Sequence, residues 1–595
     1  MSELQKLENL RKLMIENGLD CYFITMSDPH LSEYVADHWR VINWLSGFTG
    51  STGNLVITQN FAGLWTDSRY FLQAEDQLKG SGIELVRLKI PHQPEFIDWL
   101  YENLPKGSKI GFNGELVSVN LVKMMQEKLK KKELELRPEV DLISGIWTDR
   151  PGLPAGEVFF HDLKYAGMLT SEKILKVQQH LKELSADALV LSSPEDIAWL
   201  YNIRGNDIPY VPVVLAYSVI TEHRAILFIE DYKINEITKK GLIQKRIEVF
   251  PYSGIFIFFN DATDQQKVLV QHSKTNYKLF QSFPKNFELQ DCTNITTILK
   301  SVKNQIEIKN LNETMVKDGT AMVKFLYWLS KNAGNEGITE ISAADKLRNF
   351  RKEQEGFFDE SFAPISAYNS HASMPHYSSS EKTNTPLSVP GIYLIDSGGQ
   401  YFGGTTDITR SVVLGKATKR QKIDFTLALK GTINLAMAVF PFGTRGYQLD
   451  VIARQPLWNN YLNYGHGTGH GVGFFLNVHE GPQTIGTSAS GDLNTILQPG
   501  MVISDEPAIY REGKYGFRTE NLLLVVDDRK SEFGQFLKFE TLTLCPIDKN
   551  LILKKLLDKK EKKWLNHYHK LVYSKISPYL SKKENLWLHA ATSAL

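Results

Sequence analysis

Cysteine is scarce in this chain, which has three cysteines among 595 residues. Cys21, Cys292 and Cys545 lie far apart, and no Cys-x-x-Cys pair occurs. An odd number of widely spaced cysteines is typical of reduced thiols in a reducing compartment rather than of a disulfide framework. We therefore expect a cytoplasmic location.

An excess of charge of one sign is also missing, because 68 basic residues are matched by 67 acidic ones. A nearly neutral protein has no extended field that would attract nucleic acid or an anionic membrane, so attraction to a charged partner must be local. We expect neither nucleic acid nor a membrane as a partner.

Long apolar runs are absent too, and none is long enough to span a bilayer. The segment Met1-Ser-Glu-Leu-Gln-Lys6 lacks the basic stretch and apolar core of a signal peptide. The hydrophobic content of 42% is still sufficient for several cores, and a chain of this length should form several domains. These features indicate a large multidomain protein without a membrane segment.

The sequence does contain an internal repeat. A helical stripe of apolar residues over residues 4–14 is followed by an apolar strand over residues 19–25. A second stripe, over residues 174–184, precedes a strand over residues 186–191. The repeat predicts two related α/β domains ahead of a third domain.

Domain boundaries follow from composition. Residues 146–156 are rich in proline and glycine, as is typical of a linker, and methionine and aromatic residues recur at helical spacing after residue 306. The predicted divisions are a first domain over residues 1–150, a second over 157–305, a third over 306–550 and a C-terminal helical extension over 551–595.

A glycine-paired turn in the third domain connects two predicted strands, over residues 391–396 and 405–414. If the chain reverses at Tyr401-Phe402, the glycine pairs on either side face each other and Asp396 comes close to Asp407. Two facing carboxylates repel, and a cation between them removes that cost. Hard oxygen ligands suit Mg²⁺ or Mn²⁺, or a mixed site if histidine joins them.

Three later stretches contain candidate partners for these carboxylates. Taken singly, each acid or histidine is more often a surface charge or a hydrogen-bonded loop residue. Taken together, they are far less expected by chance. They are His466 and His470 among five glycines, Asp505 and Glu506 at the end of an apolar strand, and Arg518 and Glu520 on one face of another strand.

The combined pattern resembles a known family. The five residues Asp396, Asp407, His470, Glu506 and Glu520 match the ligand pattern of the pita-bread dinuclear metallopeptidases. The motifs that narrow the resemblance to the aminopeptidase P family are His466-Gly-Thr-Gly-His470, Asn477-Val-His-Glu-Gly481 and Asp505-Glu-Pro507. The chain is similar to the long, three-domain, cytosolic form of that family. The implied fold is α/β (α+β), with two related creatinase-like domains followed by a pita-bread catalytic domain.

The resemblance implies two divalent metal ions. It makes Asp396 a ligand of one ion and Asp407 and Glu520 bridges between both, while His470 and Glu506 complete the second. It further implies a hydroxide bridging the ions as nucleophile, with Glu506 accepting its proton. Mn²⁺ is the metal implied by the family, although the same ligand types also bind Co²⁺, Zn²⁺ or Fe²⁺.

Substrate contacts are implied for five residues. His376 contacts the substrate and stabilises the intermediate, and His466 and His479 line the pocket on the proline side. Arg518 meets a downstream carbonyl or carboxylate, and Arg69 reaches the substrate from the first domain. With Glu506, the resemblance makes His376 and His479 the catalytic set.

The residues alone leave alternatives open. His371 lies in the same loop as His376, and loop histidines are often merely solvated. Strand alternation places Asp505 and Glu506 on opposite faces without indicating which face carries the site. Arg69 lies two residues after an aspartate, and such an arginine often forms a local ion pair instead.

The activity implied by the resemblance is hydrolysis of the bond between an N-terminal residue and a following proline in short peptides, by a homodimer. A prolidase, which takes only Xaa-Pro dipeptides, has the same metal ligands but usually lacks the second N-terminal domain. The internal repeat therefore counts against a prolidase. A non-enzymatic binding protein on the same scaffold would have lost the metal ligands, and all five are present here.

Overall fold

The computed structural model describes residues 1–90, 93–487 and 494–595. The chain forms two compact units. The first comprises Met1–His161 with Met168–Thr296, and the second comprises Asp162–Gly167 with Thr297–Leu595. Every helix in the described ranges is too short or too polar to cross a bilayer.

The first unit begins with a mixed sheet surrounded by helices. Its strands are β1 (Cys21–Thr25), β2 (Asn54–Thr58), β3 (Ala62–Thr66), β4 (Glu84–Arg87), β5 (Lys109–Gly111) and β6 (Glu135–Arg137). Its helices are α1 (Glu3–Glu16), α2 (Val41–Ser46), α3 (Phe71–Gln77), α4 (Phe96–Asn103) and α5 (Val119–Leu129). In the described part of the chain, the strand order is β4-β3-β2-β1-β5-β6.

Strand β1 explains why this sheet forms a core on both faces. Tyr22 and Ile24 pack into one apolar cluster, and Cys21 and Phe23 pack into another. This alternation is the two-residue period of a strand whose two faces are both covered.

A second sheet of the same kind follows. The strands from here to the end of the first unit are β7 (Phe159–Phe160), β8 (Ala188–Leu191), β9 (Ile203–Arg204), β10 (Tyr217–Thr221), β11 (Ala225–Phe228), β12 (Ile247–Phe250), β13 (Lys267–Val270) and β14 (Glu288–Asp291). The helices in this stretch of the chain are α6 (Leu163–Ala166), α7 (Thr170–Glu183), α8 (Pro194–Tyr201), α9 (Glu236–Gln244), α10 (Tyr277–Gln281) and α11 (Ile295–Ser301). β7 and β9 pair separately, and the order of the remaining strands is β12-β11-β10-β8-β13-β14.

The two sheets have the same topology. In each, the first strand lies antiparallel to the second and parallel to the fifth, and the third lies parallel to the fourth. The predicted internal repeat is therefore confirmed as a repeated fold. The first strand of each copy begins two residues later than predicted, and Leu4 of the predicted stripe is 44% exposed.

The second unit combines long helices with several small antiparallel sheets. Its main helices are α12 (Gln305–Asn332), α13 (Glu340–Lys352), α14 (Lys419–Ala436), α15 (Gly446–Trp458), α16 (Lys559–Ile576) and α17 (Lys582–Thr592). Its strands are β15 (Phe357–Glu360), β16 (Ile365–Tyr368), β17 (Gly391–Ser397), β18 (Gly399–Tyr401), β19 (Gly404–Thr405), β20 (Ile408–Leu414), β21 (Val439–Pro441), β22 (Gly469–His470), β23 (Thr484–Ile485), β24 (Val502–Asp505), β25 (Ala508–Arg511), β26 (Tyr515–Arg518), β27 (Asn521–Ser531) and β28 (Gly534–Thr541). Short strands that end in loops leave many side chains free to converge on one place.

The turn between Asp396 and Asp407 has a different register from the predicted one. β17 runs antiparallel to β20 with Asp396 opposite Thr409, and the chain reverses at Phe402-Gly403, one residue later than predicted. Gly404, with a φ of +147°, lies just after this reversal in the backbone region that favours glycine. Asp407 is consequently a diagonal rather than a direct neighbour of Asp396 on the same face.

Candidate metal centre and active site

Three buried carboxylates converge in the second unit. Asp396 lies near the end of β17, Asp407 lies in the break between β19 and β20, and Glu520 lies between β26 and β27. One oxygen from each lies within 4.8 Å of the others. Strands β17 and β20 bring the two aspartates together, and Glu520 joins because its backbone N–H donates to the Thr409 carbonyl at 3.1 Å.

His470 and Glu506 complete this cluster. His470 Nε2 lies 3.4 Å from Asp407 Oδ2 and 3.7 Å from Glu506 Oε1. One atom each from His470, Glu506 and Glu520 also lies within 4.8 Å of the others. A Cβ atom on Gly469 would lie 1.9 Å from the Ser504 carbonyl oxygen, so the glycine allows β22 to approach β24 and place His470 beside Glu506.

The electrostatics of the cluster fit bound cations. Burial, with the nearby Asp407 carboxylate, raises the pKa of Glu520 well above its usual range. Burial also raises the pKa of Asp396 despite the adjacent Arg518. Burial alone would lower the pKa of His470, but the hydrogen bond to Asp407 and the charge of Glu506 raise it to about 9. The cluster therefore holds more negative charge than its burial favours.

Two carboxylate oxygens support the same conclusion. Asp396 Oδ1 and Asp407 Oδ1 are buried and find no hydrogen-bond partner in the described part of the chain. Buried polar atoms are normally satisfied, so these oxygens are oriented for a ligand. Four carboxylates and one imidazole are the donor set of a mixed oxygen and nitrogen site, and they fit two divalent ions.

Arg518 lies against this cluster rather than apart from it. Its Nη2 donates to Asp396 Oδ2 at 2.5 Å and its Nε donates to Thr409 Oγ1 at 3.0 Å. Thr409 Oγ1 in turn donates to Glu520 Oε2 at 2.7 Å. The same guanidinium donates to the hydroxyl of Tyr510. Arg518 therefore orients a carboxylate of the cluster, a contact that the sequence prediction of a substrate-binding role did not include.

Arg410 binds the backbone at Thr409 and Glu520. Its Nη1 donates to the backbone carbonyls of Thr409 at 2.9 Å and Glu520 at 2.7 Å, and its Nη2 donates to the Tyr568 hydroxyl at 2.9 Å. Tyr568 belongs to α16, so this helix contributes to the backbone frame behind the carboxylates.

Two of the predicted substrate histidines lie beside the cluster. His466 Nε2 is 2.9 Å from the Tyr510 hydroxyl, and its Nδ1 is 3.8 Å from Glu506 Oε2. The ring of His479 meets that of His470 edge to face at a centroid distance of 4.4 Å. An atom of His479 also lies within 4.8 Å of atoms of Asp407 and His470, so it is close enough for a metal role as well as a substrate role.

His376 and His371 occupy different settings in one loop. His376 follows a short 3₁₀ segment, Asn369–Ser373, and the carbonyl of the preceding Pro375 lies 3.5 Å from Arg518 Nη2. His371 Nδ1 instead lies 2.8 Å from a carboxylate oxygen of the fully buried Glu340. The structure thus gives His371 a partner away from the carboxylate cluster.

Asp505 and Arg69 are not part of the cluster. Both carboxylate oxygens of Asp505 are buried without a hydrogen-bond partner among the described residues, and burial raises its pKa well above the usual range. Arg69 belongs to the first unit, where its guanidinium binds Asp67 at 2.6 Å and lies over the ring of Tyr70. The local ion pair left open by the sequence is thus present, and a substrate contact for Arg69 stays a prediction.

Tyr510 was missed by the sequence analysis. It lies on β25, which pairs with β26 so that Ala508 is opposite Arg518, and Tyr510 follows on the same face. The alternation after Pro507 is the signal that could have found it. The Tyr510 hydroxyl contacts both His466 and Arg518, so this side chain connects a predicted substrate residue to the arginine that binds Asp396.

Comparison with known proteins agrees with this arrangement. Residues 309–527 match the model of metallopeptidase family M24, and residues 535–595 match the C-terminal region of peptidase M24. Residues 6–140 and 149–307 each match a creatinase/prolidase N-terminal domain. The chain is 35% identical to Xaa-Pro aminopeptidase 1 of Dictyostelium discoideum, over 98% of this chain and 94% of that protein. It is 37% identical to aminopeptidase P2 of Arabidopsis thaliana, over 97% and 86%.

This chain belongs to the Xaa-Pro aminopeptidase family. Its structure is similar to that of the X-prolyl aminopeptidase of Caenorhabditis elegans, described as a cytosolic enzyme with a di-nuclear active site, with a TM-score of 0.94, 34% identity and full coverage of both chains. The prolidase of Thermococcus sibiricus shares the fold, with a TM-score of 0.51 and 21% identity over 64% of this chain and 98% of that one. The predicted fold class, with two creatinase-like domains before an M24 catalytic domain, is confirmed.

Proposed function

We propose that this chain is a metal-dependent aminopeptidase that hydrolyses the bond between an N-terminal residue and a penultimate proline. The convergence of Asp396, Asp407, His470, Glu506 and Glu520 at one buried place carries this proposal. The relatives named Xaa-Pro aminopeptidase 1 and aminopeptidase P2, which match nearly the whole chain, favour this activity over a prolidase.

The proposed ligand assignment is the one that the family resemblance implies, and the proximity of the five side chains supports it. Asp396 would hold one ion, His470 and Glu506 would hold the other, and Asp407 and Glu520 would contact both. When bound, two divalent ions polarise the scissile carbonyl and lower the pKa of water so that hydroxide forms near neutral pH. We propose Mn²⁺ as the native metal, in line with ligands that are mostly carboxylate oxygens with one imidazole.

The remaining residues keep the proposed roles that the family resemblance implies. Glu506 accepts the proton of the attacking water, because its carboxylate lies at the edge of the ligand cluster beside His470. His376 and His479 contact the reacting peptide, and His466 lines the proline pocket. Arg518 both fixes Asp396 and offers its remaining N–H groups to a substrate carbonyl. Arg69 contacts the substrate from the N-terminal part of the chain.

The proline preference has a physical basis in the pocket walls. A proline peptide bond has no N–H for a protein acceptor to bind, so recognition must depend on the ring and on carbonyls. The rings of His466, His479 and Tyr510 supply flat surfaces for a pyrrolidine.

We propose short peptides with proline at position 2 as substrates, a homodimer and a cytoplasmic location; the cytosolic C. elegans enzyme favours the last point. We also retain the predicted domains, 1–150, 157–305, 306–550 and 551–595.

A competition between three peptides tests the function. The protein is stripped with a chelator, reloaded with Mn²⁺ and offered Xaa-Pro-Yaa, Xaa-Ala-Yaa and the dipeptide Xaa-Pro. We expect cleavage of Xaa-Pro-Yaa in the reloaded protein and its loss in the stripped protein. Comparable cleavage of Xaa-Ala-Yaa would exclude proline specificity, and cleavage of the dipeptide alone would identify a prolidase.

A further inference from the structure

A buried carboxylate lies behind the loop that carries His376. Glu340 is the first residue of α13 and is fully buried. Its Oε1 accepts from the Tyr368 backbone N–H at 2.7 Å and contacts His371 Nδ1 at 2.8 Å. Its Oε2 accepts from the Tyr377 hydroxyl at 2.9 Å and from the Thr385 backbone N–H at 3.2 Å.

These donors bracket His376 along the chain. Tyr368 and His371 precede it, whereas Tyr377 and Thr385 follow it. The rings of His371 and Tyr377 also stack on each other, with centroids 4.4 Å apart. One carboxylate therefore closes the loop at both sides of His376, and charge-assisted hydrogen bonds of this kind are stronger than neutral ones.

The loop that carries His376 also packs against β26, the strand that contains Arg518. A Cβ atom on Gly516 would lie 1.8 Å from the Ala372 carbonyl oxygen, so the loop packs directly on β26 at a glycine. Further along, the Pro375 carbonyl lies 3.5 Å from Arg518 Nη2. The loop is thus held between Glu340 on one side and the strand of Arg518 on the other.

We propose that Glu340 is a positioning residue, which fixes His376 relative to the substrate by binding Tyr368, His371, Tyr377 and Thr385 together. This inference rests on the proposed role of His376. Glu340 contacts none of the ligand residues through its carboxylate hydrogen bonds, so its effect reaches the reaction through the loop. His371 thereby gains a role as one of the two side chains that carry this support.

A double-mutant cycle tests the proposal. Glu340→Gln keeps one acceptor oxygen and replaces the other by an amide NH2, so that either the Tyr368 or the Thr385 backbone N–H faces another donor. We expect it to lower kcat/KM for Xaa-Pro-Yaa by about tenfold or more, mainly through kcat, without changing the content of bound Mn²⁺. In a His376→Ala background, the same change should lower kcat/KM by less than about twofold, because the imidazole that Glu340 positions is already absent.

Two further variants keep the test decisive. Tyr377→Phe removes one donor without creating a conflict, and it should show a smaller loss with the same dependence on His376, even if Glu340→Gln folds poorly. Glu561→Gln is the matched control: Glu561 is also a buried carboxylate in the first turn of a helix, where it binds Lys430. It should lower thermal stability without changing kcat/KM.

Three results would overturn the proposal. The first is that the losses of the two single variants multiply in the double variant. The second is loss of Mn²⁺ from Glu340→Gln. The third is full activity in both Glu340→Gln and Tyr377→Phe. If His376→Ala alone has no effect, the positioning role fails together with the role of His376, whereas wild-type cleavage of Xaa-Pro-Yaa still upholds the proposed function. Failure of the wild type to cleave that peptide rejects the function itself.

Discussion

At the residue scale, Asp407 is one of three side chains, with His470 and Glu520, that belong to two groups of the centre. It takes part in two ligand groups, one with Asp396 and Glu520 and one with His470 and His479. Its Oδ2 lies 3.4 Å from His470 Nε2, while its Oδ1 has no hydrogen-bond partner in the described residues. The two oxygens therefore differ in their hydrogen-bonding surroundings, which supports the proposed contact with two ions.

Asp407→Asn should lower turnover of Xaa-Pro-Yaa by more than about a hundredfold, because an amide offers only one acceptor oxygen and carries no charge. We expect less than two equivalents of bound Mn²⁺ by elemental analysis. Asp527→Asn, at an exposed position on β27, is the control that should keep both metal content and rate. An active Asp407→Asn protein with full metal content would refute the bridging role.

Arg518 binds a carboxylate of the cluster, although its predicted role was a substrate contact. The family resemblance implies a substrate contact for this residue. Its guanidinium in the structure binds Asp396, Thr409 and Tyr510. A buried ion pair of this kind is costly to break on one side, since the remaining charge is left without a partner. A change at Arg518 would consequently leave the buried Asp396 carboxylate without its ion-pair partner.

At the scale of elements, close packing of strands β22 and β24 sets the position of His470. The backbone N–H of His470 donates to Ser504 Oγ at 2.9 Å, and the Glu506 N–H donates to the Thr468 carbonyl at 2.9 Å. These bonds align one histidine and one carboxylate from separate segments. The approach is possible because Gly469 has no side chain.

Gly469→Ala should therefore displace His470 and weaken metal binding. Its Cβ would lie 1.9 Å from the Ser504 carbonyl oxygen, whereas a Cβ on Gly467 would lie 3.4 Å from its nearest contact. We expect Gly469→Ala to release Mn²⁺ at lower chelator concentrations than wild type, and Gly467→Ala to retain it. Equal retention by both variants would show that β22 tolerates the shift.

At the scale of the whole molecule, each unit contains a buried neutral histidine. His30 in the first unit contacts the Ser192 carbonyl and the Tyr252 hydroxyl, and burial lowers its pKa to about 3. His569 in α16 accepts the Ile547 N–H at 3.1 Å, and burial, with the charges of Lys549 and Arg410, also lowers its pKa to about 3. Both units therefore depend on a histidine that stays uncharged.

We expect these two histidines to lower the free energy of unfolding as the pH drops from 7 to 5. Unfolded histidine takes up a proton near its ordinary pKa of 6.5, whereas the folded group does not until about 3, so the unfolded state binds more protons in this window. Each histidine contributes about 2 kcal/mol of unfolding free energy that is lost by pH 5. The measurement is urea unfolding at both pH values.

His569→Gln should reduce this pH dependence by about 2 kcal/mol, since glutamine keeps an acceptor but has no such titration. His567→Gln, an exposed position on the same helix, is the matched control and should leave the dependence unchanged. An unaltered slope in His569→Gln would contradict the prediction.

Much of this protein could be predicted from local sequence. The repeat in the first half predicted two related domains, since apolar periodicity is a property of short segments. The five proposed metal ligands could be named because the combined pattern of their short motifs resembles that of a known family, whereas each residue taken singly did not indicate a metal site. The predicted turn, in contrast, was wrong by one residue, because strand pairing across the turn and the conformation of Gly404 decide the register.

The sequence by itself determined which residues could form the centre and how many domains precede it. Tertiary structure decided which of them meet: Arg518 with Asp396, Tyr510 with His466, and Glu340 with the loop of His376. These pairs join residues up to 122 positions apart. Their contacts depend on how separate strands pack, and no spacing within one segment records that packing.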